Sequence, residues 1–307
     1  MEFVFHAIFL ILLFCGIMLV FTPVRTSVND SIKTYWPTVI LIGLTLLFIV
    51  CGFPILRNQR INQWIKDGCR PIDVPMEYYN VAIAQNNAKA MESRARYYSN
   101  KGDNSRAKRW LLMAAKHGNI NAQKEIAENF KRDSKYEEAV KWYSKAIENG
   151  AGANVRSSLA FCQYKVGEQY EMTQAWGVAA NWYWMAAARN NKWAQYRLGW
   201  CYFNGRGVPL SYNEAIRWFK KSAKQNHKKA YYALGYCYRK GYGVIQSDSQ
   251  AIKYYEAAAA QGVVEAMFEL GKLYEARGDS SNAVKWYRKA AEQGHVGAKQ
   301  RLQELGE

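Results

Sequence analysis

From Ala194 to Gly262 one stretch of sequence is written twice, at a constant offset of 36 residues. The first copy runs Ala194-Gln-Tyr-Arg-Leu198-Gly199-Trp-Cys-Tyr202-Phe-Asn-Gly205-Arg-Gly207-Val208 and continues with Ala215-Ile-Arg-Trp218-Phe219. The second runs Ala230-Tyr-Tyr-Ala-Leu234-Gly235-Tyr-Cys-Tyr238-Arg-Lys-Gly241-Tyr-Gly243-Val244 and continues with Ala251-Ile-Lys-Tyr254-Tyr255. A fixed period of this size marks a stacked array, in which each unit is one supersecondary element that buries its apolar face only against its neighbours. Length therefore does not count domains here.

The landmarks of the two copies extend in both directions. The leading small residue recurs at Ala90, Ala122, Cys162, Ala194, Ala230, Ala266 and, truncated, Ala298, at intervals of 32, 40, 32, 36, 36 and 32 residues. Intervals that differ by about one helical turn predict that whole turns are added or dropped, keeping the landmarks on one face. Each unit reads as two helices. In the first, Ala, Leu, Gly and Tyr at i, i+4, i+5 and i+8 form a stripe, with a small residue where a neighbouring backbone comes close. In the second, Ala215, Trp218, Phe219, Ser222 and Ala223, or Ala283, Trp286, Tyr287, Ala290 and Ala291, recur at helical spacing. Gly205-x-Gly207-Val208 and Gly241-x-Gly243-Val244 turn the chain between the helices, and Gln225-Asn226 and Gln261-Gly262 close the second helix.

This pattern resembles the Sel1-like repeat, a relative of the tetratricopeptide repeat. The resemblance covers residues 76–307 and is strongest in the copies beginning at Ala194 and Ala230, with a good copy at Ala266. Earlier units lack the Gly-x-Gly loop and carry Arg94-Ala95 or Ile126-Ala127 in place of Leu-Gly, but keep Trp110-Leu111 and Trp142-Tyr143 in the second helix. The unit at Cys162 keeps Val166-Gly167, Tyr170 and Trp182-Tyr183. The resemblance implies an all-α fold, a right-handed α-solenoid of stacked helix hairpins: six repeats preceded by a capping helix around Tyr78-Tyr79.

Residues 3–21 and 38–56 are two charge-free apolar runs. About 20 such residues cross a bilayer as a helix, so the reading is a transmembrane hairpin. Its parts are helix 1 over 1–21, a connecting loop over 22–37 and helix 2 over 38–56, followed by a basic juxtamembrane linker over 57–75 and the solenoid over 76–307. The start Met1-Glu2-Phe3 lacks the positive region of a cleavable signal. Arg25 and Lys33 lie in the loop, against Arg57, Arg60, Lys66 and Arg70 after the second run, which predicts both termini in the cytoplasm and an inner-membrane location.

The net charge of +17 falls entirely beyond residue 56, where 40 Lys and Arg stand against 23 Asp and Glu. Such a surplus points to an acidic partner or an anionic membrane surface. It would also attract nucleic acid, but no base-reading motif is present, and nucleic acid is a minor reading. Cys201 and Cys237, at one repeat position, read as buried free thiols. His117, His227 and His295 fall at inter-repeat turns, and no His, Cys or carboxylate set has metal-site spacing. Neither glycine loop continues as Gly-Lys-Ser or Gly-Lys-Thr. The expectation is a non-enzyme with no cofactor, no metal and no catalytic residue.

In tetratricopeptide-like arrays the first helix of each pair lines the concave side. Carried over by resemblance, the inward positions are Trp193, Tyr196, Trp200 and Phe203, then Lys229, Tyr232, Tyr236, Arg239 and Lys240, then Phe268 and Lys272. Earlier units offer Arg96, Lys131, Arg132 and Tyr164. Rings beside Arg and Lys have the composition of binding hot spots. The resulting expectation is a membrane-anchored scaffold that docks an acidic or extended protein partner in this groove. A second reading makes the chain an accessory membrane subunit of a secretion, envelope or transport complex, with the hairpin as the working part. Bare apolar helices also favour association with neighbours, a homo-oligomer included.

Overall fold

The computed structural model describes Asn80 and residues 86–307. The two apolar runs, the linker and nearly all of the capping segment lie outside the described residues. Among the described residues there are thirteen α-helices and no strand. No helix among them is long and apolar enough to cross a membrane.

The chain divides into two compact units, residues 1–119 and 120–307. The described part of the first is the hairpin α1 (Ala88–Asn100) and α2 (Asn104–Lys116). Asn87 caps α1 by accepting from the Lys89 and Ala90 amides, and Asp103 caps α2 by accepting from Arg106. Glu92, nearly buried, takes hydrogen bonds from Arg96 and from Asn119.

The second unit holds α3 (Ile120–Arg132), α4 (Tyr136–Glu148), α5 (Ala153–Met172), α6 (Trp176–Ala188), α7 (Lys192–Asn204), α8 (Tyr212–Ala223), α9 (Lys228–Lys240), α10 (Asp248–Ala259), α11 (Val264–Ala276), α12 (Ser280–Glu292) and α13 (Val296–Glu304). Each packs on its chain neighbour, so the unit is a helical solenoid. The first helices of the pairs (α1, α3, α5, α7, α9, α11, α13) carry the leading landmarks, and all seven landmarks are fully buried. Leu198, Leu234 and Leu270 lie in the core one turn further on. A polar residue starts many of the helices: Asn191 and His295 cap α7 and α13, and Ser211, Ser247 and Asp279 cap α8, α10 and α12.

Two details differ from the sequence reading. The small residue at i+5 does not receive a neighbouring backbone. It receives an aromatic ring from the second helix of its own pair. A Cβ on Gly199 would lie 2.5 Å from the Phe219 ring, and one on Gly167 or Gly235 would lie 2.6 Å from Tyr183 or Tyr255. Leu-Gly is therefore a ring socket, and the ring above it is fully buried in each pair. Added helical turns also explain only one interval. α5 has 20 residues where the other complete first helices have 13, and it accounts for the 40-residue spacing. The 36-residue units have first helices of ordinary length and instead insert the loops 205–211 and 241–247, where other units turn in three residues.

Those longer loops contribute to stacking. Gly207, at φ +73°, lies so close to the Trp176 carbonyl and the Gly177 amide, at the start of the preceding second helix, that no Cβ fits. Gly243, at φ +67°, repeats the contact on Tyr212, where a Cβ would lie 2.7 Å from the backbone.

Candidate protein-docking face

The outward stripe of each first helix comprises the positions two, three, six and nine residues beyond its landmark; from α5 to α11 these are half-buried, apart from the buried Ala233 in α9. The ring at the second position covers the socket ring of the same pair. Tyr164 lies 6.0 Å from Tyr183, Tyr196 6.0 Å from Phe219, Tyr232 5.7 Å from Tyr255 and Phe268 5.7 Å from Tyr287, between ring centres. Tyr196, Tyr232 and Phe268 are thus lids on the core whose outer edges face the stripe. Burial, followed by Glu269 and Glu265, pushes the Tyr232 hydroxyl up to about 12. Tyr196 and Phe268 also rest on His227 and His295 at the following turns, 5.0 and 4.3 Å away.

Beyond the lids the structure gathers five rings. Trp200 packs edge-on against Phe219 and Phe203, and Phe203 lies 6.2 Å from Tyr236, 5.2 Å from Tyr212 and 5.5 Å from Tyr242. Tyr212 and Tyr242 are 4.9 Å apart. Trp200, Phe203 and Tyr236 were expected on the face. Tyr212 and Tyr242 were missed because they belong to the second-helix start and the glycine loop, and only the packing of successive loops brings them in.

The charged positions divide differently. Arg239 pairs with Glu269 of the next first helix at 3.1 Å, and Lys272 pairs with the same carboxylate at 2.8 Å. Both were expected to be open to a partner; they share the one Glu269 carboxylate, so the trio keeps one positive charge on this face. Lys229 and Lys240 are exposed and have no carboxylate partner among the described residues. The Arg239 pair belongs to a series linking the ninth position of one first helix to the third of the next. Glu171 meets Arg197 at 3.3 Å, and Glu275 receives the Arg301 Nε–H at 3.0 Å. The sign is reversed at Arg239–Glu269, while geometry is kept. In the earlier units Arg96 and Lys131 pair with Glu92 and Glu128 of their own helices.

Arg239, Phe268 and Lys272 come together in a groove of ≈ 630 Å³ across α9, α11 and α13, with Glu275, Gln300 and Arg301 as further walls. Trp193 stands apart from it. This indole is 43% exposed at the α6–α7 turn and borders a separate recess. Cys162, Cys201 and Cys237 are buried free thiols held up to about 12 by burial. Among the described residues no group of three His, Cys, Asp or Glu side chains could hold a metal ion.

The model of the Sel1 repeat matches residues 93–119, 130–150, 194–227, 228–263 and 264–295. These are Sel1 repeats. The unit at Cys162, with its lengthened α5, lies between the matched Sel1 stretches. No curated protein matches the sequence. Among solved structures, c5321, a protective antigen of uropathogenic Escherichia coli strains displaying an SLR fold, is 22% identical with a TM-score of 0.55, over 86% of this chain and 59% of that one. The chain thus spans 59% of the length of that antigen. A Sel1 repeat protein from Oxalobacter formigenes is 26% identical with a TM-score of 0.50, over 67% of this chain and 86% of that one. Both likenesses agree with the helical Sel1-repeat fold.

Proposed function

We propose that the chain is a membrane-anchored protein-interaction scaffold, whose Sel1 repeats dock a protein partner on the first-helix stripe between α7 and α13. The observation that carries this reading is the five-ring cluster of Trp200, Phe203, Tyr212, Tyr236 and Tyr242, continuous with half-buried lids and flanked by the exposed Lys229 and Lys240. Rigid rings beside unpaired cations fill a partner's pockets at low entropy cost. The two charge-free runs within residues 1–56 support an anchor in the inner membrane with both termini in the cytoplasm, which would raise the effective concentration of a docked partner there.

The docking face is tested by placing a photo-crosslinking residue at Tyr236 and, as a control, at Trp184, which is 54% exposed on a second helix. A discrete adduct is expected from position 236 alone. Once that adduct is identified, Tyr236→Ala is expected to weaken its binding by about 2 kcal/mol, about thirtyfold. Equal adducts from both positions would sink the assignment. The anchor is tested separately, by a reporter fused after Glu307, and a non-cytoplasmic signal would overturn the topology.

A further inference from the structure

The surplus charge is concentrated in the molecule. Residues 172–247 contain twelve Lys and Arg against one acid, Glu214, and so hold eleven of the seventeen surplus charges. Arg197, Arg217 and Arg239 spend their charge on carboxylates. The other nine have no carboxylate partner among the described residues, and five of them, Arg189, Lys192, Lys224, Lys228 and Lys229, sit at two turns, α6–α7 and α8–α9.

These turns are physically joined. Gln225 donates to the Asn190 side-chain oxygen at 3.0 Å, and Ser222 donates to the Lys192 carbonyl at 2.7 Å. The field they create acts on His227. It is only 8% exposed, and burial together with Lys192, Lys229 and Lys228 holds its imidazole down to about 4. Against the same edge lies a recess of ≈ 310 Å³, lined by Phe161, Arg189, Asn190, Lys192, Trp193 and Gln225 among others, with no carboxylate in its wall. Part of that wall, including Ser157, is supplied by the N-terminal extension that makes α5 the longest helix described.

We infer that the edge formed by the α6–α7 and α8–α9 turns is a second recognition surface, which binds an acidic protein segment carrying one apolar or aromatic residue. The apolar residue enters the recess between Phe161 and Trp193, and flanking carboxylates meet the five unpaired cations. Charge complementarity selects the class of ligand, and the recess selects among anions. A lipid headgroup plane cannot enter a recess. A nucleic-acid strand needs successive exposed rings for stacking, and the recess offers a single exposed indole. The surface borders the docking face at Lys229 and is otherwise distinct from the first-helix stripe.

The test uses the purified full-length chain and a fluorescent ten-residue peptide with one Phe flanked on both sides by Glu. Combined Arg189→Glu, Lys224→Glu and Lys228→Glu substitution is expected to weaken binding at least tenfold. Trp193→Ala, at an exposed site, is expected to weaken it about threefold with unchanged helical circular dichroism. Lys253→Glu, Lys285→Glu and Lys289→Glu together, an equal charge change away from the edge, should alter binding less than twofold. Tyr236→Ala should leave it unchanged, so this inference and the docking reading fail separately. Equal losses from the two triple variants would overturn the inference. So would edge-dependent binding of oligothymidylate or phosphatidylglycerol vesicles tighter than that of the peptide.

Discussion

The 36-residue repeats and the 32-residue repeat that follows them use one hairpin plan and tie it to the neighbouring repeat in different ways. In the pair α11–α12, Tyr287 donates to Glu275 at 2.7 Å, and Glu275 also receives Arg301 from the next first helix. Tyr183, Glu171 and Arg197 make the same chain of contacts between the unit at Cys162 and the first 36-residue unit. Inside those units the chain is missing. Position nine is Phe203 or Arg239, the socket ring is Phe219 or Tyr255, and the buried Tyr255 hydroxyl has no hydrogen-bond partner. The long loops, with Gly207 and Gly243 against the preceding second helix, add close backbone packing, which stands beside the Glu171–Arg197 pair at the first of these interfaces and takes the place of an ion pair only where Gly243 meets Tyr212. In the unit at Ala194, Phe203 stands at position nine in place of the carboxylate and joins the five-ring cluster, whereas Arg239 in the next unit keeps an ion pair with Glu269.

The largest test of this difference is at the loops. Gly207→Ala is expected to cost about 3 kcal/mol or more in urea unfolding, since it adds a forced overlap with the Trp176 carbonyl to the cost of a positive φ. Gly278→Ala, in a three-residue turn with nothing within 4 Å of the new Cβ, should cost about 1 kcal/mol. Similar losses would mean that the long loop is only a connector.

A second test compares His227 with His295. His295 Nδ1 accepts the Ala298 amide, whereas His227 Nδ1 is buried without a partner. The His227 imidazole is held down to about 4, below its usual 6.5, so the unfolded chain binds the proton more readily. Its contribution to stability is complete above pH 6.5 and is lost as pH falls toward 4. His227→Asn is expected to remove on the order of 2 kcal/mol of acid destabilisation across that window. An unchanged pH profile would contradict the burial argument.

The smallest effect separates the two tyrosines. Tyr287→Phe should lose about 1 kcal/mol, because it breaks the bond to Glu275, while Tyr255→Phe should be neutral or slightly stabilising. A loss at both positions would show that the Tyr255 hydroxyl has a partner after all.

Much of this architecture was legible in residues 90–307. Seven landmarks spaced by 32 to 40 residues all proved fully buried, and the helix pairs followed from them. Cys201 and Cys237 were correctly read as buried thiols. The site was less legible. Arg239 looks free in the sequence because Glu269 is 30 residues away on another helix, although opposite signs at positions nine and three of successive units carry the signal; the Glu269–Lys272 pair, three residues apart on one helix, was legible from spacing alone. Trp193 precedes its landmark by one residue, and helical phase sends it to the turn edge.

The repeat register, the pairing of helices and the sockets are sequence properties, because each unit meets only its chain neighbours and a periodic pattern repeats those local contacts. Which rings are lids and which form a surface was decided by tertiary structure, as was which cations are neutralised and where the unpaired ones gather. Those outcomes depend on side chains about one repeat apart meeting across adjacent helices, and no single period encodes that geometry.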